Sequence, residues 1–178
     1  MKRVVLVVIL AVFVLSSNYS YGQVLVPWQG SNGKWGFMDE GTDRLIIHCK
    51  YDLVYGFTEG LAMVCYGGKC GFIDKDDNLV IPLKYDEPIQ HFSEGLAMVT
   101  VNSKTGFIDK TDKVVIPIKY DHVSGFVKGT TFVEGFSMVG LDGRYGFIDQ
   151  TGTEVVPVKY KSPVKARQKL LKGTRKAS

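Results

Sequence analysis

The sequence predicts an all-β protein built from tandem three-stranded repeats, and three observations carry that prediction. First, Gly71-Phe72-Ile73-Asp74 with the downstream Lys84-Tyr85-Asp86 recurs as Gly36-Phe37-Met38-Asp39 with Lys50-Tyr51-Asp52. It recurs again as Gly106-Phe107-Ile108-Asp109 with Lys119-Tyr120-Asp121, and as Gly146-Phe147-Ile148-Asp149 with Lys159-Tyr160. Second, a pair of turn residues stands just before each Gly-Phe: Asn32-Gly33, Gly67-Gly68, Asn102-Ser103 and Asp142-Gly143. Gly, Asn and Asp tolerate the positive φ of a two-residue hairpin turn. Third, a unit of about 35 residues is too small to bury a core alone, so its neighbours must stack.

Residues 1–22 read as an export signal. Lys2 and Arg3 precede the apolar run Val4–Leu15, and Ser20-Tyr21-Gly22 offers a small-x-small cleavage site. The run falls short of the roughly 20 residues that cross a bilayer. Gln23 follows the proposed cut, so there is no thiol there for lipid attachment. The expected location is outside the cytoplasm: periplasmic, outer surface or secreted.

From residue 23 to 160 the array follows. With each turn pair at the centre of a two-residue loop, Met63 faces Phe72, Met98 faces Phe107, Met138 faces Phe147 and, in the first copy, Trp28 faces Phe37. One pair nearer the turn, Trp35 faces Gly30, Cys70 faces Cys65, Thr105 faces Thr100 and Tyr145 faces Gly140. Large rings opposite glycine and like opposite like are the pairings that cross-strand packing rewards. Trp35, Phe37, Phe72, Phe107 and Phe147 are therefore the predicted repeat core. Both hairpin faces are apolar at the centre, which predicts cover on both sides.

A short polar turn follows each Asp, then a third strand such as Leu79-Val80-Ile81. Pro82, Pro117 and Pro157 end that strand or hold it at an edge, and the first copy has His48 there instead. The segment from Lys84-Tyr85-Asp86 to Gly95 is read as a loop into the next hairpin. The arrangement expected is a hairpin solenoid, with a small four-bladed closed ring as the alternative.

The Gly-Phe spacing is 35, 35 and then 40 residues. The extra five fall around Val127, Lys128, Gly129, Thr130 and Thr131, a surface insertion and the place to look first for an individual interaction loop. Residues 161–178 leave the period. Of the 22 Lys+Arg, two lie in the signal and eight between Lys159 and Lys176, leaving twelve against 18 acids, or net −6, for residues 23–158. The basic tail is read as solvated and mostly disordered, with a short helix over the array's end as the second reading.

Gly33-Lys34-Trp35-Gly36-Phe37-Met38-Asp39, the downstream Lys-Tyr-Asp and the Glu-Gly-Leu-Ala-Met-Val segments resemble the bacterial WG-repeat family over roughly residues 28 to 160. The Trp-Gly pair survives only at Trp35-Gly36; Cys70, Thr105 and Tyr145 take the Trp place in the other copies. The resemblance implies a β-rich repeat domain, common in exported or envelope-associated proteins. It carries no general enzymatic activity and no catalytic residues to transfer.

Chemistry-bearing residues are sparse. Asp74-Lys75-Asp76-Asp77-Asn78 begins like a calcium loop, but Leu79 and Tyr85 stand where that loop needs Gly and Glu, so these acids read as turn formers. His48, His91 and His122 occupy different places in the repeat and share no metal-binding spacing. Cys65 and Cys70 fall opposite each other, which allows a disulfide after export or two small core residues in the Trp place; Cys49 stays free in either case. The recurring Tyr51, Tyr85, Tyr120 and Tyr160, with Glu59, Glu94 and Glu134, form ladders that either pack the repeats or present a stacking surface for sugars or peptides.

The function expected is a non-enzymatic binding or scaffold module at the bacterial cell envelope, without cofactor or metal. Its partner would be a protein or an envelope polymer and not nucleic acid; membrane contact would come only from transient attraction of the basic tail. The alternative is a hydrolase acting on an envelope polymer, which would require carboxylates converging in a concave site.

Overall fold

The computed structural model describes residues 23–86, 91–124, 132 and 135–174. The proposed signal at 1–22, Glu134 and the insertion at Val127–Thr131 lie outside the described residues.

Four small antiparallel sheets follow one another along the chain. The first holds β1 (Leu25–Gln29), β2 (Trp35–Asp39) and β3 (Arg44–Tyr51) in that order. The second holds β4 (Leu53–Val54), β5 (Ala62–Tyr66), β6 (Lys69–Ile73) and β7 (Leu79–Tyr85). The third holds β8 (Leu96–Val101), β9 (Lys104–Asp109) and β10 (Val114–Tyr120). The fourth holds β11 (His122–Ser124), β12 (Phe136–Leu141), β13 (Arg144–Asp149) and β14 (Glu154–Tyr160), and the helix α1 (Pro163–Thr174) ends the described chain. Among the described residues no barrel closes, and the four sheets read as tandem β repeats.

The hairpin turns of the later copies have the backbone their residues suit. Gly67 and Gly68, Asn102 and Ser103, Asp142 and Gly143 all carry positive φ, and Met63 pairs with Phe72, Met98 with Phe107 and Met138 with Phe147. The first hairpin differs from the expected register. Trp28 pairs with Gly36, Pro27 with Phe37 and Gln29 with Trp35, so Trp35 does not face Gly30. Here the Gly30 N–H donates to the Lys34 carbonyl at 2.9 Å, enclosing a three-residue loop in which only Gly33 takes positive φ. One extra loop residue slides the partner strand by one place.

The invariant Gly of each Gly-Phe is a matter of space. A Cβ on Gly106 would stand 2.6 Å from the Ile116 carbonyl oxygen, and one on Gly146 2.5 Å from that of Val156; Gly36 and Gly71 are closer still to Ile47 and Ile81. The third strand bulges across the glycine, shifting register between the two pairs that flank it, as between Phe72↔Ile81 and Cys70↔Tyr85. Pro82, Pro117 and Pro157 lie inside β7, β10 and β14, all edge strands, so they do not end those strands.

The segment after Lys-Tyr-Asp is not simply a loop. β4 and β11 pair with the first strand of the following hairpin, and in the third sheet Asp86 makes the same contact as a single bridge to Thr100. At two junctions a repeat thereby donates a short fourth strand to the next sheet, and at the other a single bridge, because the backbone leaving the Tyr would otherwise pass the hairpin's edge unpaired.

Successive sheets share apolar cores. Phe37, Ile47 and Tyr51 pack on Ala62, Val64 and Ile73; Met63, Phe72, Ile81 and Tyr85 on Ala97, Val99 and Ile108; Met98, Phe107, Ile116 and Tyr120 on Val139 and Ile148. A Phe from each linking segment completes the layer: Phe57 lies 4.8 Å from Phe37, Phe92 4.8 Å from Phe72 and Phe132 5.1 Å from Phe107, centroid to centroid. Of the five core residues expected, the four Phe are fully buried and Trp35 is only half-buried.

The start of the tail is ordered as a helix, contrary to the first reading of the sequence. Ala166 and Leu170 of α1 pack on Phe147 and Val156, beside Phe136, Met138, Tyr145 and Tyr160. The helix covers the face on which each earlier sheet receives the next one, and the burial of two apolar helix residues there outweighs the helix's otherwise polar composition.

Candidate functional site

The junctions between repeats are built by two recurrent clasps. Each Asp that follows Gly-Phe-Ile organises its own turn: the Asp74 carboxylate accepts the N–H groups of Asp76 and Asn78, both at 2.9 Å, and those of Asp109 and Asp149 accept from Thr111 and Thr151. The turn ends on a residue with positive φ, Asp77 in the second copy and Asp112 in the third. That strained place aims its carboxylate at the preceding repeat. Tyr51 donates to Asp77 at 2.7 Å and Lys50 at 2.5 Å; Tyr85 donates to Asp112 at 2.6 Å and Lys84 at 2.5 Å. Each Lys Nζ also lies about 5 Å over its neighbouring Tyr ring, at 5.1 Å for Lys50 and 5.0 Å for Lys84.

At the third junction Gly152 stands in the acid's place, at φ 85°. Burial pushes the Tyr51, Tyr85 and Tyr120 phenols up, with a hydrogen bond to Asp77 or Asp112 adding to the first two and the charge of Glu154 to the third.

The second clasp uses the Asp of Lys-Tyr-Asp. Asp52 accepts Lys34 from its own hairpin and the Gly67 N–H of the next at 2.8 Å. Asp86 accepts Lys69 at 2.6 Å and the Asn102 N–H at 2.7 Å, and Asp121 accepts Lys104 and the Asp142 N–H at 2.8 Å. The lysine hydrogen bond, then the backbone amide, hold these three carboxyls below their ordinary range. A further tie runs from Glu59 to Lys110, 3.0 Å away, and to the Gly95 N–H at 3.2 Å; Gln150 donates to Glu94.

Over the first junction the clasp opens into a groove of about 420 Å³ lined by Lys50, Tyr51, Tyr66, Asp77, Leu79 and Leu83. Its lining combines two leucines, a half-exposed aromatic ring in Tyr66, and a paired ammonium and carboxylate. Lys34 stands 5.7 Å over the Tyr66 ring. Val101 and Leu141 occupy the Tyr66 place in the later repeats, so the aromatic wall belongs to the first junction.

The residues singled out in the sequence do not converge. Tyr51, Tyr85 and Tyr120 are buried and Tyr160 is half-buried beside the helix, so the tyrosine ladder serves chiefly to pack the repeats, with Tyr51 also lining the groove. Cys65 and Cys70 pair across β5 and β6 with their sulfurs 2.00 Å apart, and Cys49 is free. His48, His91 and His122 are exposed and scattered, and the Asp74 carboxylate is occupied by its own turn. No group of three or more metal-ligating side chains occurs among the described residues. Sequence reasoning missed the Asp77 and Asp112 clasp. Its signal is an acid three residues after Asp74 and Asp109, and the partner is legible only when the stacking is known.

Among known proteins, comparison with curated sequences found no match. Among solved structures, the crystal structure of the computationally designed Ika8 protein is similar at 12% identity and a TM-score of 0.48, over 80% of this chain and 48% of that one. The chain thus spans about half the length of that design. The family model described as WG containing repeat matches at residues 35–70, 71–104, 106–145 and 145–162. With four matches in tandem over most of its length, the chain belongs to the WG-containing repeat family.

Proposed function

We propose that this chain is an exported, non-enzymatic binding module of the bacterial cell envelope, and that its ligand, a protein or an envelope polymer, engages the groove over the first junction. The observation that carries the reading is Tyr66, half-exposed in a groove that it lines with Leu79, Leu83 and the Lys50–Asp77 pair, where the other repeats have Val101 and Leu141 in its place. A pocket lined by apolar side chains, one aromatic ring and a few oriented polar groups has the makeup of a recognition site.

The carboxylates support binding over hydrolysis. A general acid needs its carboxyl held up toward neutrality. Here the resolved shifts of Asp52, Glu59, Asp74, Asp86, Asp109, Asp121 and Asp149 all run downward, each through hydrogen bonds that already occupy the oxygens.

The test is retention of envelope-extract components on the immobilised chain, compared with Tyr66→Ala and, as the matched control, Val101→Ala. Loss with Tyr66→Ala alone is the expected result. Equal retention by all three proteins would overturn the groove as the site.

A further inference from the structure

Every internal junction mates two unlike faces, one on the sheet before it and one on the sheet after. The receiving face of the second sheet, Ala62, Val64 and Ile73, is fully buried, as are Ala97, Val99 and Ile108 in the third. Ala62 pairs with Ile73 and Val64 with Gly71; in the first sheet Val26 pairs with Met38 and Trp28 with Gly36, which sets Val26, Trp28 and Met38 at the same places, with Leu45 beside Met38. Among the described residues no apolar core includes these side chains, and Trp28 is 48% exposed where Val64 and Val99 are at 0%. At the other end of the array Phe147 and Val156 hold the places of Phe72 and Ile81, and α1 covers them in place of a sheet.

The clasp is divided between the same two ends. Asp43 takes the place of Asp77 and Asp112: it lies at φ 54° against their 65° and 68°, and its N–H donates to the Asp39 carbonyl at 2.9 Å as that of Asp77 does to Asp74 at 3.2 Å. The first turn is one residue longer, yet Leu45 follows Asp43 at the interval at which Leu79 follows Asp77. Asp43 is exposed, and among the described residues no Tyr or Lys reaches its carboxylate. The matching donors stand at the far end. Lys159 is exposed with its Nζ 6.0 Å over the Tyr160 ring, as Lys50 and Lys84 lie over theirs, and no described acid pairs with either residue.

We propose that the open face of the first sheet docks the last sheet of a second copy, head to tail, with Lys159 and Tyr160 of one chain clasping Asp43 of the next, and that α1 is the displaceable cover that withholds the last sheet from this contact. Internal junctions show what the open face receives, and the chain itself carries that mate beneath α1. A contact between unlike faces adds copies one after another unless it closes into a ring. Ala166 and Leu170 on Phe147 and Val156 compete for the same place and hold this growth back. Lys161 stands where Asp52, Asp86 and Asp121 make the second clasp, so a junction between chains has only the first and lacks the covalent link that raises effective concentration within one chain. The groove over the first junction takes no part in this contact.

Sedimentation over a concentration series is expected to find wild-type protein mainly monomeric and Leu170→Asp, its helix loosened, associating at least about tenfold more tightly into a ladder of species. Adding Asp43→Lys to Leu170→Asp should weaken that association at least about tenfold, and adding Lys159→Asp as well should restore it, since the clasp is rebuilt with its charges exchanged. Trp28→Asp in the Leu170→Asp background should abolish the ladder. That chain still has an open last sheet, so it should form a one-to-one complex with wild-type protein, whose first sheet is open.

Association of Leu170→Asp no tighter than that of wild type, or a ladder indifferent to Asp43→Lys and Trp28→Asp, would overturn the proposal. So would a wild-type dimer lost with Trp28→Asp but untouched by Lys159→Asp, since two first sheets would then be meeting face to face. Should Leu170→Asp not fold, carbodiimide cross-linking of concentrated wild-type protein, mixed from isotopically light and heavy chains, decides the matter. An Asp43 to Lys159 amide between light and heavy chains is the expected product in mass spectrometry, and its absence would overturn the proposal.

Discussion

The hydroxyl of Tyr51 donates across the repeat boundary to the carboxylate of Asp77, 2.7 Å away, in a turn that belongs to the next copy. Tyr85 and Asp112 repeat the contact at 2.6 Å. A half-buried hydrogen bond to a charged acceptor is worth about 1–2 kcal/mol. Tyr51→Phe and Tyr85→Phe are each expected to lose about that much in urea unfolding. Tyr120→Phe should lose clearly less, since Gly152 supplies no carboxylate at the corresponding place. Equal losses at the three tyrosines would show that the acid contributes nothing.

Phe72 is fully buried between sheets and within 4.8 Å of Phe92, whereas Trp35 is half-buried at the start of the array. Phe72→Ala should cost about 3–5 kcal/mol by leaving a cavity that two packed sheets cannot close. Trp35→Ala should cost less than half as much. Chemical denaturation of the two variants side by side measures the difference.

Cys65 and Cys70 sit on opposed strands with Cα atoms 4.0 Å apart, while Cys49 is free. Alkylation without reductant, read by mass spectrometry, is expected to label one thiol. Reduction should remove roughly 2 kcal/mol, the effect of opening so short a loop in the unfolded chain. Labelling of three thiols would show that the pair functions as two small core residues.

Helix α1 covers the last sheet through Ala166 and Leu170. Deleting the chain from Lys161 onward uncovers Phe147 and Val156, so the melting temperature should fall and a dye for exposed apolar surface should bind. Leu170→Asp should do the same more mildly. An unchanged melting temperature in both variants would mean that the helix does not hold this face shut.

The clasps also give a pH profile. Asp52, Asp86 and Asp121 have folded pKa values lowered by their lysine and backbone hydrogen bonds. Their contribution is present above the ordinary carboxylate value of about 4 and is lost as pH falls through the lowered folded values. Tyr51 and Tyr85 are raised by burial and by their Asp partners, and Lys34 and Lys104 by hydrogen bonds to Asp52 and Asp121. Their contribution is full below about 10 and is lost as pH rises through the folded values. Melting temperature against pH should therefore hold a plateau between the two limits. Asp77→Asn should soften the alkaline limb, and no change there would disconnect the tyrosines from it.

Repetition is what made the fold readable. A Phe at a fixed place after a Gly, opposite a Met across a turn of Gly, Asn or Asp, determines hairpin, register and core in the last three copies without reference to anything distant, because those pairings are local and period-two. The first hairpin escaped this reading because Asn32-Gly33 suits a three-residue loop as well as a two-residue one, and only the space beside Gly30, Cys49 and Lys34 decided between them. The short strands β4 and β11, the Tyr51–Asp77 clasp and the seating of α1 were decided by stacking alone. Each joins residues whose meeting depends on one repeat lying over the next, or on the helix lying over the fourth sheet, and an amino-acid sequence carries no local signal for such a neighbour. The same stacking brings Lys50 and Tyr51 of the first sheet to one groove with Tyr66, Asp77, Leu79 and Leu83 of the second, and the sheet order leaves β3 at an edge. The open face of the protein is thus a tertiary outcome built on a repeat that the sequence by itself determined.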